Sequence, residues 1–99
     1  MKIVMLESLG VSEETMNNLL KDILASGNEF VFCDHGLSTD EKRKMIRTAD
    51  IAIIANNPLT SDILNATENL KMISVGFTGI DHIDMDVCRE KNVTVCNAQ

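Results

Sequence analysis

Residues able to do chemistry gather late in this 99-residue chain, in Gly76-Phe77-Thr78-Gly79 and in Ile80-Asp81-His82-Ile83-Asp84 behind it. The turn follows an apolar run, Met72–Val75, of the kind that forms a buried strand. Two glycines three residues apart carry no Cβ to keep backbone N–H groups from converging, which is a usual way to build a small anion pocket. Earlier, Asn56-Asn57-Pro58 follows a second apolar run at 51–55. Adjacent carboxamides and a glycine turn can hold a small carboxylate by neutral hydrogen bonds. The candidate binding set is therefore Gly76, Phe77, Thr78, Gly79, Asn56 and Asn57. Turn formation alone is the competing account of both segments, since Asn mimics backbone in turns and Asn-Pro is itself a turn signal.

The remaining polar residues read mostly as structural. His82 stands beside Asp81 and is the tempting acid–base group, but a structural hydrogen bond is its expected role; His35 falls in the turn after residues 29–33 and reads as solvated. Asp81, Asp84 and Asp86 place three carboxylates within six residues. Calcium loops need a longer ligand run with a central Gly and a closing Glu, so helix capping by Asp84 is the better account and no metal is expected. The Gly76-x-x-Gly79 spacing is not the Gly-x-Gly-x-x-Gly dinucleotide fingerprint, and the helix behind it is too short to present a phosphate. No cofactor-binding or catalytic residue is identified.

Composition narrows the partners. Net charge is −6, with 9 Lys and Arg that form no dense cluster, so neither nucleic acid nor an anionic membrane surface is an expected partner. With no Trp or Tyr and 3 Phe, platforms for base stacking are missing too. Cys33, Cys88 and Cys96 are odd in number and contain no Cys-x-x-Cys pair, which suits reduced thiols in a cytoplasmic protein. The first residues hold too short an apolar run for a signal peptide or a membrane span.

Five apolar runs, at 2–6, 29–33, 51–55, 72–75 and 93–96, alternate with helical patterns. Ser12 is an expected N-cap with Glu13 and Glu14 against the helix dipole, and Met16, Leu19, Leu20, Ile23 and Leu24 trace one amphipathic face ending at Gly27. Ser38-Thr39-Asp40-Glu41 reads as a capping box for a helix to about residue 48. Thr60 or Ser61 caps a short third helix, and residues 84–91 form a fourth. The run at 51–55 is continuous, as in a central parallel strand covered on both faces. This alternation predicts an α/β flavodoxin-like three-layer sandwich whose five-stranded parallel sheet has the order 2-1-3-4-5. Ligands of such sheets sit beyond the carboxyl ends of the strands, where Glu7-Ser8-Leu9-Gly10, Asn56-Asn57-Pro58 and Gly76-Phe77-Thr78-Gly79 all fall.

The segment Leu70-Lys71-Met72-Ile73-Ser74, then Gly79-Ile80-Asp81-His82-Ile83-Asp84, then Val93-Thr94-Val95-Cys96-Asn97-Ala98 resembles the substrate-binding domain of the D-isomer-specific 2-hydroxyacid dehydrogenases. The likeness is residue by residue over 70–98 and looser, but in register, from Met1 onward. It implies the same flavodoxin-like arrangement, and it places the backbone amides of Thr78 and Gly79 where the family holds the substrate carboxylate. His82 falls where the family carries His or Asn. The family's catalytic His, with its Arg and Glu partners, belongs in or beside a nucleotide-binding domain and has no counterpart here, and the chain stops at Gln99, where family members enter that domain. Residues 1–99 are thus expected to be a substrate-binding domain without its nucleotide-binding domain, inactive alone and binding no cofactor. The resemblance further implies NAD or NADP and a homodimer for the complete enzyme, with a small 2-hydroxy or 2-oxo acid such as glyoxylate or hydroxypyruvate as substrate.

Three other readings compete. A receiver module needs an acidic pair after the first strand, an Asp ending the third and a Lys after the fifth; those places hold Glu7, Ala55-Asn56 and Asn97. A flavodoxin needs a hydroxyl- and glycine-rich phosphate cradle where Ser8-Leu9-Gly10-Val11-Ser12 stands, and an aromatic for the flavin. A freestanding truncated paralogue that binds a small carboxylic acid, or a partner chain, without catalysis stays open.

Overall fold

One parallel sheet of order β2-β1-β3-β4-β5 organises the computed structural model, which describes residues 1–7, 10, 12–33, 36–55, 57–76 and 82–97. Along the chain run β1 (Lys2–Met5), α1 (Glu13–Leu19), α2 (Lys21–Ala25), β2 (Glu29–Val31), α3 (Thr39–Arg47), β3 (Ile51–Ile54), α4 (Ser61–Leu64), β4 (Met72–Val75), α5 (Met85–Glu90) and β5 (Thr94–Asn97). Strand order and class agree with the sequence reading, and the register is set by apolar pairs such as Val4 with Ala52 and Ala52 with Ile73.

Alternation along the strands sends side chains to two unequal cores. Val4, Leu6, Ala52, Ile54, Ile73 and Val75 face Ile46 of α3, Ile63 and Leu64 of α4 and Cys88 of α5. Met5 and Ile53 face Met16 and Leu20, together with Phe30 and Phe32, whose rings meet edge to face at 6.4 Å. The second layer is thin. Ile51 and Ile53 are only half-buried, so β3 is not covered equally on both sides as its unbroken apolar run suggests; on the same side Met72 and Ser74 of β4 are half-buried and Thr94 and Cys96 of β5 are exposed.

The long first helix is interrupted. Leu20 adopts φ −101° and ψ 6°, dividing the predicted helix into α1 and α2. Only Met16 is fully buried and Leu20 and Leu24 half-buried, whereas Leu19 is 72% and Ile23 43% exposed. The i, i+4 line reaches the small second core; the flanking positions of the stripe find nothing to cover them.

Predicted caps hold at three helices. Ser12 accepts from Thr15 N, Ser38 and Glu41 form the reciprocal capping box, and Asp84 accepts from Val87 N at 3.2 Å. Thr60 occupies the N-cap of α4 but makes no side-chain cap bond there. Gly27, at φ +88°, closes α2, and Asn92, at φ +59°, closes α5 in a Schellman motif with Val93 N bonded to Cys88 O and Asn92 N to Arg89 O. At the amino ends of the strands Asp50 is a stitch: its Oδ2 accepts from Lys2 N at 2.7 Å, its own N–H donates to Lys2 O, and its carbonyl accepts from Lys71 N.

Candidate functional site

At the carboxyl edge of the sheet, the β1–β3 ladder is finished by a side chain. Leu6 N donates to Ile53 O, and the following residue, Glu7, turns a buried carboxylate, 8% exposed, onto the segment leaving β3. Its Oε1 accepts from Ala55 N at 2.5 Å and from Asn57 N at 2.8 Å. One acceptor shared by donors two residues apart makes the chain curl around the oxygen, a nest of N–H groups filled by the protein's own carboxylate.

The same segment grips both ends of the glycine turn. On entry, Gly76 N donates to Ile54 O at 2.7 Å. On exit, Leu59 N donates to His82 O at 2.9 Å and Asp84 N to Leu59 O at 3.0 Å, a parallel bridge between Leu59 and Ile83. Leu59 itself is 1% exposed and packs into the main core, so this seam is anchored as well as hydrogen-bonded. The loops after β1, β3 and β4 therefore meet through Glu7, residues 54–59, Gly76 and His82, the place the strand order assigns to a ligand.

Of the residues singled out in the sequence, the structure places Gly76 at an exposed position entering the turn and Asn57 half-buried beside Glu7. Asn56, Phe77, Thr78, Gly79, Asp81 and His35 lie outside the described residues. His82 joins the seam through its backbone carbonyl; its Nε2 is buried without a hydrogen-bond partner among the described residues. Asp84 caps α5 as expected. Among the described residues no group of three or more His, Cys, Asp or Glu could hold a metal, and no helix is long and apolar enough to cross a membrane. The sequence reading missed Glu7 as a structural partner of this site, because an acceptor acting 48 and 50 residues away leaves no local pattern.

Two features lie apart from this edge. Burial pushes the Cys88 thiol above its usual range, and the Asp84 carboxylate adds to that. A surface concavity between α3 and the turn after α4 is lined by Asp40, Arg43, Lys44, Arg47 and Ala66; Arg47 is already engaged by Glu68 at 2.5 Å.

A parallel sheet of this order, with helices between its strands, defines a doubly wound α/β domain. The chain belongs to the D-isomer specific 2-hydroxyacid dehydrogenase family, whose catalytic-domain profile matches residues 3–99. It is 32% identical over 76 residues to a hydroxypyruvate reductase of Thermotoga maritima, covering 76% of this chain and 25% of that protein. It is 30% identical over 79 residues to a glycerate dehydrogenase of Hyphomicrobium methylovorum, covering 78% of this chain and 23% of that one. Among solved structures, an NAD⁺-bound 3-phosphoglycerate dehydrogenase of Entamoeba histolytica superposes with a TM-score of 0.86 at 25% identity, over 98% of this chain and 32% of that one. An NAD-dependent formate dehydrogenase of Staphylococcus aureus in complex with NAD gives 0.77 at 25% identity, over the same shares. The chain spans between 12% and 25% of the length of the curated relatives it is similar to.

Proposed function

We propose that residues 1–99 are the substrate-binding part of an NAD(P)-dependent oxidoreductase that acts on the CH–OH group of small D-2-hydroxy acids. The observation that carries this reading is the seam of residues 54–59, which joins both ends of the Gly76–His82 turn at the carboxyl edge of the sheet. There a carboxylate meets backbone N–H groups and neutral carboxamides, a set that suits a compact monoanion. Thr78 and Gly79 are the proposed amide donors, and Gly76, Phe77, Asn56 and Asn57 complete the proposed binding set. Names of the relatives favour three-carbon acids, hydroxypyruvate and glycerate among them.

The described residues do not fit a dinucleotide: the sequence holds no Gly-x-Gly-x-x-Gly, and the helix after the turn, α5, has six residues. Hydride and proton transfer are therefore assigned to residues outside this chain, and its own task is to bind and orient the acid. Assays of the full-length protein and of the 99-residue chain, with NADH or NADPH and a panel of glyoxylate, hydroxypyruvate and pyruvate, test the reading. Turnover by the full-length protein and none by the chain is expected. No turnover of any 2-oxo acid by the full-length protein, or turnover by the chain alone, would overturn it.

A further inference from the structure

We infer that Glu7 is a positioning residue for the small-acid site, acting through the backbone of residues 55–57; this rests on the function proposed above. Three observations carry it. Glu7 is a carboxylate buried to 8% exposure in an acidic chain, a placement that persists only when the charge is well satisfied. Its bonds reach the first residues beyond β3 rather than any neighbour in sequence, at 2.5 and 2.8 Å. Those residues lead directly into Leu59, which fixes the exit of the glycine turn through His82 and Asp84. Glu7 thus sets the curl of the strand-to-helix segment, and the segment sets where the turn begins and ends.

A second consequence concerns which amides remain for a ligand. The N–H groups of Ala55 and Asn57 are engaged by Glu7 and are not free for a ligand. The Glu7 carboxylate itself occupies this nest of N–H groups at the end of β3.

Three variants of the full-length protein test this. Glu7→Gln keeps a carbonyl oxygen able to accept both N–H groups, Glu7→Asp keeps the charge but is one methylene too short to reach both, and Glu7→Ala removes the acceptor. The expected pattern is kcat/KM for hydroxypyruvate within about threefold of wild type in Glu7→Gln and lowered about 10- to 100-fold in Glu7→Asp and Glu7→Ala, the scale of a reacting group displaced by about 1 Å. The loss is expected mainly in KM, with faster deuterium exchange of the peptide spanning 55–57 in the same two variants. Should Glu7→Ala fail to fold, Glu7→Asp against Glu7→Gln decides. Unchanged kcat/KM in Glu7→Asp despite faster exchange would remove the positioning role alone. A loss in Glu7→Gln equal to that in Glu7→Asp would show that the charge, not the acceptor geometry, matters, and would also overturn it. Absence of activity in wild type sinks the substrate reading and the positioning role with it, while exchange at 55–57 still reports whether Glu7 holds the segment.

Discussion

Asp84 separates two accounts of the acidic segment, and its removal has a calculable effect. Its Oδ1 accepts from Val87 N at 3.2 Å, its own N–H donates to Leu59 O, and it begins the helix that carries Cys88, 1% exposed, into the main core. Asp84→Ala leaves the Val87 N–H without its acceptor and the first turn of α5 without a cap, which costs about 0.5–2 kcal/mol. For a domain of this size each kcal/mol lowers Tm by roughly 4–8 °C, so a fall of several degrees is expected. Asp84→Asn keeps an acceptor in the same place and forfeits only the interaction of charge with the helix dipole, about 0.3–1 kcal/mol. Circular-dichroism melts of the three proteins, with and without millimolar calcium, make the comparison. The expected order is wild type, Asn, Ala, with no calcium effect on any. An Asp84→Ala melt within about 1 °C of wild type would refute the capping argument. A calcium-dependent rise in wild type that Asp84→Asn abolishes would establish the metal ligand discounted above.

Three further outcomes are expected. Gly79→Val in the full-length protein should lower kcat/KM about 10- to 100-fold with little change in Tm, because a β-branched side chain crowds the acid; unchanged kcat/KM would remove the turn from the site. His82→Asn should keep most activity, since His82 serves the seam through its backbone carbonyl, whereas a loss of about 100-fold or more with loss of the near-neutral limb of the pH–rate profile would identify a general base. At pH 7–8 a thiol reagent should label Cys96 quickly and leave Cys88 unmodified until denaturant is added. Burial and the Asp84 carboxylate hold Cys88 protonated, so its thiolate appears only above the usual cysteine range.

What could be read from the sequence, and what could not, divides by the range of the interaction. Ser12, Ser38, Asp84 and Gly27 mark helix ends through contacts within about one turn, so their residue types announce them, and the apolar runs between them order the sheet because crossovers of one hand leave few arrangements. Periodicity locates an apolar stripe but not how much of it a neighbour covers. Leu19 and Ile23 repeat at the right interval and remain exposed because the second core is narrow. Asp50 and Glu7 could not be read at all. Each looks like any surface carboxylate, yet one stitches the amino ends of β1, β3 and β4 through bonds to Lys2 and Lys71, and the other fills the N–H nest at the end of β3. Asp50 stands one position before β3 and Glu7 two positions after β1, where backbone donors leave the ladder unpaired. A carboxylate there supplies the acceptors that the ladder no longer provides, which ties the strand ends together without another residue of sheet. At the carboxyl edge Glu7 engages the amides of Ala55 and Asn57, whereas the substrate role proposed for Thr78 and Gly79 comes from the resemblance to the family.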